Sequence, residues 1–375
     1  MDKKLERAKA ISAELMPIAG IKVDGDQPWD IQIHNDEIYT RVLRDASLGL
    51  GESYMDGWWD CERLDIFIEK LSRARLYDQI KQNKKLLFDI IIQYLLNFQT
   101  KDKSITSVES HYDIGNDLYE LMLDASMAYT CGYWKTATSL EQSQHDKMDL
   151  ICRKLQLQPG MRVLDAGCGF GCMARFAAKN YGVEVVAVNI SKEQIAFAKT
   201  NCKGLPVTIR FQDYRDVNEK FDRIIALGIM EHVGHKNYAG FMKTMHGCLK
   251  DDGMLLVHTV GSHFPAVGGD PWVHKYIFPN AMLPSIKQLA GASEKFFVIE
   301  DWHNFGADYD KTLMEWHANL KKNWHLLKDR YDERFYRMWE YYLLSFAGSF
   351  RARDLQLWQI VLSKGGVQGG YIAPR

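Results

Sequence analysis

The residues with the plainest chemical purpose are three glycines at alternate positions, in the run Asp165-Ala166-Gly167-Cys168-Gly169-Phe170-Gly171. Glycine is required where backbone must turn tightly and approach a ligand closely. The run is preceded by MRVLDAG (161–167), which reads as a buried strand, and followed by Cys172 to Tyr181, a helix that Gly182 would end. Strand, glycine loop and helix in that order form a nucleotide-binding arrangement. The spacing is G-x-G-x-G, and Cys172 stands where a dinucleotide fingerprint has its third glycine. This favours S-adenosylmethionine, which has no pyrophosphate, over NAD.

The elements that must hold such a loop follow along the chain. VEVVAVN (183–189) is a second buried strand, and Ser191 is placed to cap the next helix. VTIRFQD (207–213), FDRIIAL (221–227) and MLLVHTV (254–260) add three strands, with helical patterns between them. Repeated β–α units predict an α/β fold, a parallel sheet with helices on both faces. LWQIVLSK (357–364) is a candidate to close the sheet, and Trp272 to Pro284, rich in proline and aromatics, reads as a loop or lid. Tyr309 to Phe350 reads as helical. At the strand ends, Asn189 stands where such folds place a group for the ribose hydroxyls, with Gln194 one turn later. Asp213 and Tyr214 are placed to meet the adenine amino group and ring.

The chain has 375 residues, 46% hydrophobic and 25% charged, an ordinary globular balance. Its net charge of −1 gives no global field toward nucleic acid or a membrane, so any such contact must be local. Seven cysteines without paired spacing predict reduced thiols in the cytoplasm. No signal peptide is visible, and Leu86 to Phe98, the most apolar stretch, is too short to span a bilayer of roughly 30 Å. A polar stretch near residues 100 to 107 predicts a boundary between a smaller, mostly helical domain (1–103) and a catalytic domain (104–375). EHVGH (231–235) is a poor zinc motif, since Glu precedes both histidines and Gly234 interrupts the helix; no metal is expected.

From residue 107 almost to the C-terminus the chain resembles the bacterial cyclopropane-fatty-acyl-phospholipid synthases, relatives of the mycolic acid cyclopropane synthases. The likeness is carried by SVESHYDIGNDLYELML (107–123), YTCGYW (129–134), VLDAGCGFG (163–171) and MEHVGHKNY (230–238). It continues through HTVGS (258–262), PWVHKYIFPN (271–280), HNFGADYDKTL (303–313) and FRARDLQLWQ (350–359). The resemblance implies a class I S-adenosylmethionine-dependent methyltransferase (Rossmann-like) sheet with a smaller N-terminal helical domain. It implies an enzyme that builds cyclopropane rings into unsaturated phospholipid acyl chains. A cis double bond attacks the sulfonium methyl, a carbocation forms on the chain, and a proton leaves as the ring closes. The implied base is a bound bicarbonate held by Cys131, Glu231, His258, Val260 and Tyr309, with Cys131 and Val260 serving through backbone groups. The cofactor set is then Tyr112, Thr130, Gly167, Gly169, Asn189, Gln194, Asp213 and Tyr214. Phe346 stands where some relatives have a cysteine just before the FRARD segment, which excludes covalent cysteine catalysis there.

A homodimer, bound peripherally to the inner face of the cytoplasmic membrane, is the implied working form. Lys70, Arg73, Arg75, Lys81, Lys84 and Lys85 form a basic cluster suited to an anionic surface, and equally to a solvated helix face. Two rivals stay open: an enzyme of the same fold that adds a methyl group without closing the ring, and a non-catalytic lipid-binding protein.

Overall fold

The computed structural model describes residues 3–75, 115–266 and 268–375. Contacts divide the chain into two compact units, and the division does not follow a single cut near residue 103. One unit joins Met1–Leu121 to Gly269–Asn280 and Leu313–Asp354; the other holds Met122–Gly268, Ala281–Thr312 and Leu355–Arg375. The reason lies in the packing of two later segments. The helix Glu333–Arg351 packs on the helices Leu64–Ala74 and Glu37–Met55, and the helix Pro271–Tyr276 packs on Glu37–Met55 as well.

Among its described residues this first unit is mostly helical, with one short antiparallel pair, β1 (Gln32–Ile33) and β2 (Trp59–Asp60). The segment read as a loop or lid is in part a helix: Asp270 caps Pro271–Tyr276 by accepting from the N–H groups of Trp272 and Val273. Trp272 is only 2% exposed, and its indole lies so close to Gly51 that a Cβ there would fall 2.4 Å from the ring. A proline at the first helical position and aromatics turned inward made the segment look irregular in sequence.

The second unit is built on seven strands: β3 (Arg162–Ala166), β4 (Glu184–Asn189), β5 (Val207–Phe211), β6 (Phe221–Leu227), β7 (Leu249–Ser262), β8 (Val298–Asn304) and β9 (Leu355–Ser363). Their order is β5-β4-β3-β6-β7-β9-β8. The first five run parallel, while β9 pairs antiparallel with both β7 and β8. The candidate closing strand is therefore interior, and the edge belongs to β8, which the sequence reading missed.

Strand alternation sends side chains to two cores. Leu164, Ala166, Val186, Ile224 and Leu255 pack with Phe241, Met242 and Met245 of the helix Tyr238–Cys248. Val163, Val185, Ile225 and Leu256 pack with Ile151, Cys152 and Leu155 of the helix Leu140–Lys154. Caps fix where helices begin: Ser139 accepts from Gln142 N, Ser191 from Gln194 N, and Ser285 forms a capping box with Gln288. The expected helix Cys172–Tyr181 is present and ends at Gly182 in the left-handed conformation.

Candidate active site

The glycine loop leaves β3 and enters the helix Cys172–Tyr181 with Gly167 at φ 95° and Gly169 at φ 52°. The two glycines serve different ends. A Cβ on Gly167 would fall 2.0 Å from Ile229 Cδ1, whereas one on Gly169 would meet nothing within 4 Å. The first admits a close side chain; the second faces open space, which fits a loop that receives a ligand. Asp165 at the end of β3 is buried with Oδ2 unpartnered, and burial raises its carboxyl to about 7.

Asn189 and Gln194 come together beside this loop. Asn189 Nδ2 donates to Gln194 Oε1 at 2.9 Å and to Gly169 O at 3.3 Å, while its Oδ1 accepts from Ile190 N and Ser191 N. The amide thus ties the end of β4 to the glycine turn. Asp213 follows β5, caps the next turn and pairs with Arg215, and Tyr214 is half-buried edge-on to Phe241. Tyr112 lies outside the described residues.

Glu231 and Val260 meet directly, the Val260 N–H donating to Glu231 Oε1 at 2.7 Å. Glu231 Oε2 is out of reach of solvent and has no partner, and burial pushes the carboxyl up to about 7. The residue as a whole is only part-buried, but that oxygen is not. His258 stands two residues before Val260 on β7, opposite Gln359 of β9. Gln359 Nε2 faces His258 Nδ1 at 3.4 Å, and with the amide in this orientation Nδ1 is the acceptor and the ring Nε2 the site of the proton. That ring Nε2 is buried and unpartnered, and Gln359 Oε1 is likewise. Burial, then the charges of Lys147 and Lys154, hold the imidazole well below its usual range, so it is neutral.

Cys131 is fully buried; burial drives its thiol far up, and Sγ donates to Gly132 O at 3.1 Å. What this residue offers a ligand is therefore backbone rather than a thiolate. Its neighbours tie it to the helix Ala307–Asn323, which carries Tyr309. Gly132 N donates to Thr312 Oγ1 at 3.0 Å and Trp134 N to Asp308 Oδ2 at 2.8 Å. Phe305 links this group to the strand site, edge-on to both Tyr133 and His258.

The sequence reading missed four buried polar residues on the helix Leu140–Lys154: Ser143, Gln144, Lys147 and Lys154. Gln144 and Lys147 bind Thr130, and Lys154 lies 3.2 Å from Asp301 and 3.1 Å from His303 Nδ1. The signal was in the spacing: Leu140, Lys147 and Lys154 recur every seven residues, which puts both lysines in the inward stripe.

Comparison with known proteins bears on this arrangement. Residues 99–360 match the family model described as mycolic acid cyclopropane synthetase. The cyclopropane-fatty-acyl-phospholipid synthase of Escherichia coli (strain K12) is 51% identical over 97% of this chain and 95% of its own length. The chain belongs to the cyclopropane-fatty-acyl-phospholipid synthase family. Members of this family are S-adenosylmethionine-dependent enzymes, and the sheet is that of the class I methyltransferases. The structure of the cyclopropane synthase MmaA2 from Mycobacterium tuberculosis superposes with a TM-score of 0.64 at 29% identity, covering 71% of this chain and all of that one. The mycolic acid cyclopropane synthase CmaA1, complexed with SAH and CTAB, gives a TM-score of 0.63 at 29% identity over 70% of this chain and 99% of that one.

Proposed function

We propose that the protein transfers a methylene, derived from the methyl group of S-adenosylmethionine, to a cis double bond of an unsaturated phospholipid acyl chain. The product is a cyclopropane fatty acyl group, reached through a carbocation on the chain that loses a proton to bound bicarbonate. One observation carries this reading: Glu231 Oε2 and His258 Nε2 are buried and unpartnered on neighbouring elements that the Val260–Glu231 bond joins. Buried polar atoms are ordinarily satisfied, and orphans that recur in one place point to an absent polar ligand.

When bound, bicarbonate supplies the base that takes the proton released as the ring closes. The chain's own residues make room for such an anion. Neutral His258 presents an N–H donor without adding charge. Glu231, with a carboxyl near 7, can hold its own proton at neutral pH and so stand beside an anion without strong repulsion. Val260 N–H is taken by Glu231, and its carbonyl, which accepts from Thr259 Oγ1 at 3.0 Å, keeps a second lone pair for the bicarbonate hydroxyl; Cys131 contributes backbone, and Tyr309 completes the proposed set. Phe305, 7% exposed and packed edge-on against His258, is the aromatic residue at the site that would help exclude water able to quench a cation.

Membrane attachment and a homodimer belong to the same reading. Among the described residues no helix is long and apolar enough to cross a membrane. Of the basic cluster, Lys70 reaches Gly20 O and lies over the Trp29 ring, and Arg73 pairs with Glu69. Lys81, Lys84, Lys85 and the apolar stretch from Leu86 lie outside the described residues.

Mass spectrometry of unsaturated phospholipid vesicles incubated with the protein and S-adenosylmethionine tests the proposal. The expected result is a gain of one CH2 per modified chain that resists hydrogenation, and that requires added bicarbonate. A gain of one CH2 on a chain that still takes up hydrogen, as a methylated olefin does, would instead identify the same-fold methyltransferase. Unchanged lipid with cofactor binding intact would overturn the enzymatic reading on this substrate.

A further inference from the structure

Lys147 has no exposed surface, and its Nζ makes two hydrogen bonds, to Thr130 Oγ1 and Gln144 Oε1, both at 2.6 Å. Neither partner is a carboxylate, which is unusual for a buried lysine. The direction of each bond follows from what each group can do. Gln144 Nε2 lies 2.8 Å from the Thr130 carbonyl, which only accepts, so the amide is oriented and its Oε1 must accept from Lys147. Burial pulls the Lys147 ammonium down from its usual range, and in that charged form it only donates, so Thr130 Oγ1 accepts from it. A threonine hydroxyl has one proton. With its oxygen engaged by a cation, that proton is left to be given elsewhere.

We infer that Lys147 is a positioning residue that turns the proton of the Thr130 hydroxyl toward a carboxylate-type anion. The inference rests on the reading of Thr130 as a cofactor residue. Gln144 and Lys147 together grip the carbonyl and the hydroxyl of Thr130, so both are held from one helix. The buried cation, one hydrogen bond behind, raises the donor's strength toward a negative acceptor and repels a positive one. Ribose and adenine are poor candidates, because their proposed partners follow β4 and β5. Two anions of the right class remain: the carboxylate of S-adenosylmethionine, and the bicarbonate proposed beside the adjoining Cys131.

The test uses the full chain with S-adenosylhomocysteine and methylthioadenosine, which lacks the amino-acid end. Lys147→Met keeps an unbranched stem and removes a buried charge, so the fold should survive, and melting temperature checks this. The expected result is that Lys147→Met weakens S-adenosylhomocysteine binding about tenfold or more while leaving methylthioadenosine unaffected. Lys147→Arg should restore part of the loss, and adding Lys147→Met to Thr130→Ala should cost nothing further. If nucleoside binding is unchanged but about tenfold more bicarbonate is needed for half-maximal turnover, the donor serves bicarbonate and the inference stands. Equal weakening of both nucleosides, or no change in either ligand, overturns it. Thr130→Ala separates the two levels. If it weakens S-adenosylhomocysteine while Lys147→Met changes neither ligand, the inference alone fails; if Thr130→Ala changes neither ligand, the cofactor reading of Thr130 fails first.

Discussion

Glu231 is built at a cost that the proposed reaction explains. Its carboxyl titrates at about 7 in the folded protein against 4.5 when exposed, because burial disfavours the charged form. The folded state therefore holds the proton more tightly between those values, and stability falls as pH rises through that window. The full cost is present above about pH 7. Glu231→Gln should accordingly melt higher than the parent at pH 8, by up to about 3 kcal/mol, with the difference vanishing near pH 4. The same substitution should lower turnover by about a hundredfold or more. Thermal melts across pH, with the vesicle assay alongside, check both; a variant that loses stability at pH 8 would contradict the assignment. At this scale the sequence was partly legible. Glu231, His258 and Val260 sit in family motifs, whereas Lys147 resembles any helix lysine until its place in the inward stripe is counted.

Elements decide which glycines are structural and which serve a ligand. Ala at 167 would carry a Cβ into Ile229 at a positive φ, so Gly167→Ala should destabilise the protein by about 2 kcal/mol or more and abolish cofactor binding. Gly169→Ala meets open space and should cost only about 1 kcal/mol of stability, yet weaken S-adenosylhomocysteine binding clearly. Calorimetry of both variants separates the roles. Trp272→Ala should cost about 3–5 kcal/mol in a chemical denaturation series, since a buried indole packed against Gly51 and Tyr341 leaves a cavity. β3, β4 and β6 were legible because both faces are buried and each reads as a largely apolar run. β8 was not, because VIEDWHN carries acidic residues and is a partly exposed edge strand. Pro271–Tyr276 was hidden by its proline and aromatics, and the segments that fold back onto the N-terminal helices leave no local trace in composition.

For the whole molecule, the proposed lipid surface is a question of charge. Reversing Lys81, Lys84 and Lys85 together should weaken binding to anionic vesicles, with about 1 kcal/mol lost per charge at low salt and little effect at high salt. Sedimentation with vesicles measures it, and unchanged binding would remove the basic cluster from the account. The sheet order carries a different consequence. β9 lies between β7 and β8, so the strand latest in the chain is the one both neighbours wait for. On the ribosome, a nascent chain that has reached Arg351 carries β7 with one edge open and β8 with no strand to pair with. His258 then still lacks Gln359 across the ladder. Translation must deliver residues 355–363 before His258 gains its partner across the ladder, so a stalled or truncated chain exposes a sticky strand edge beside the proposed site.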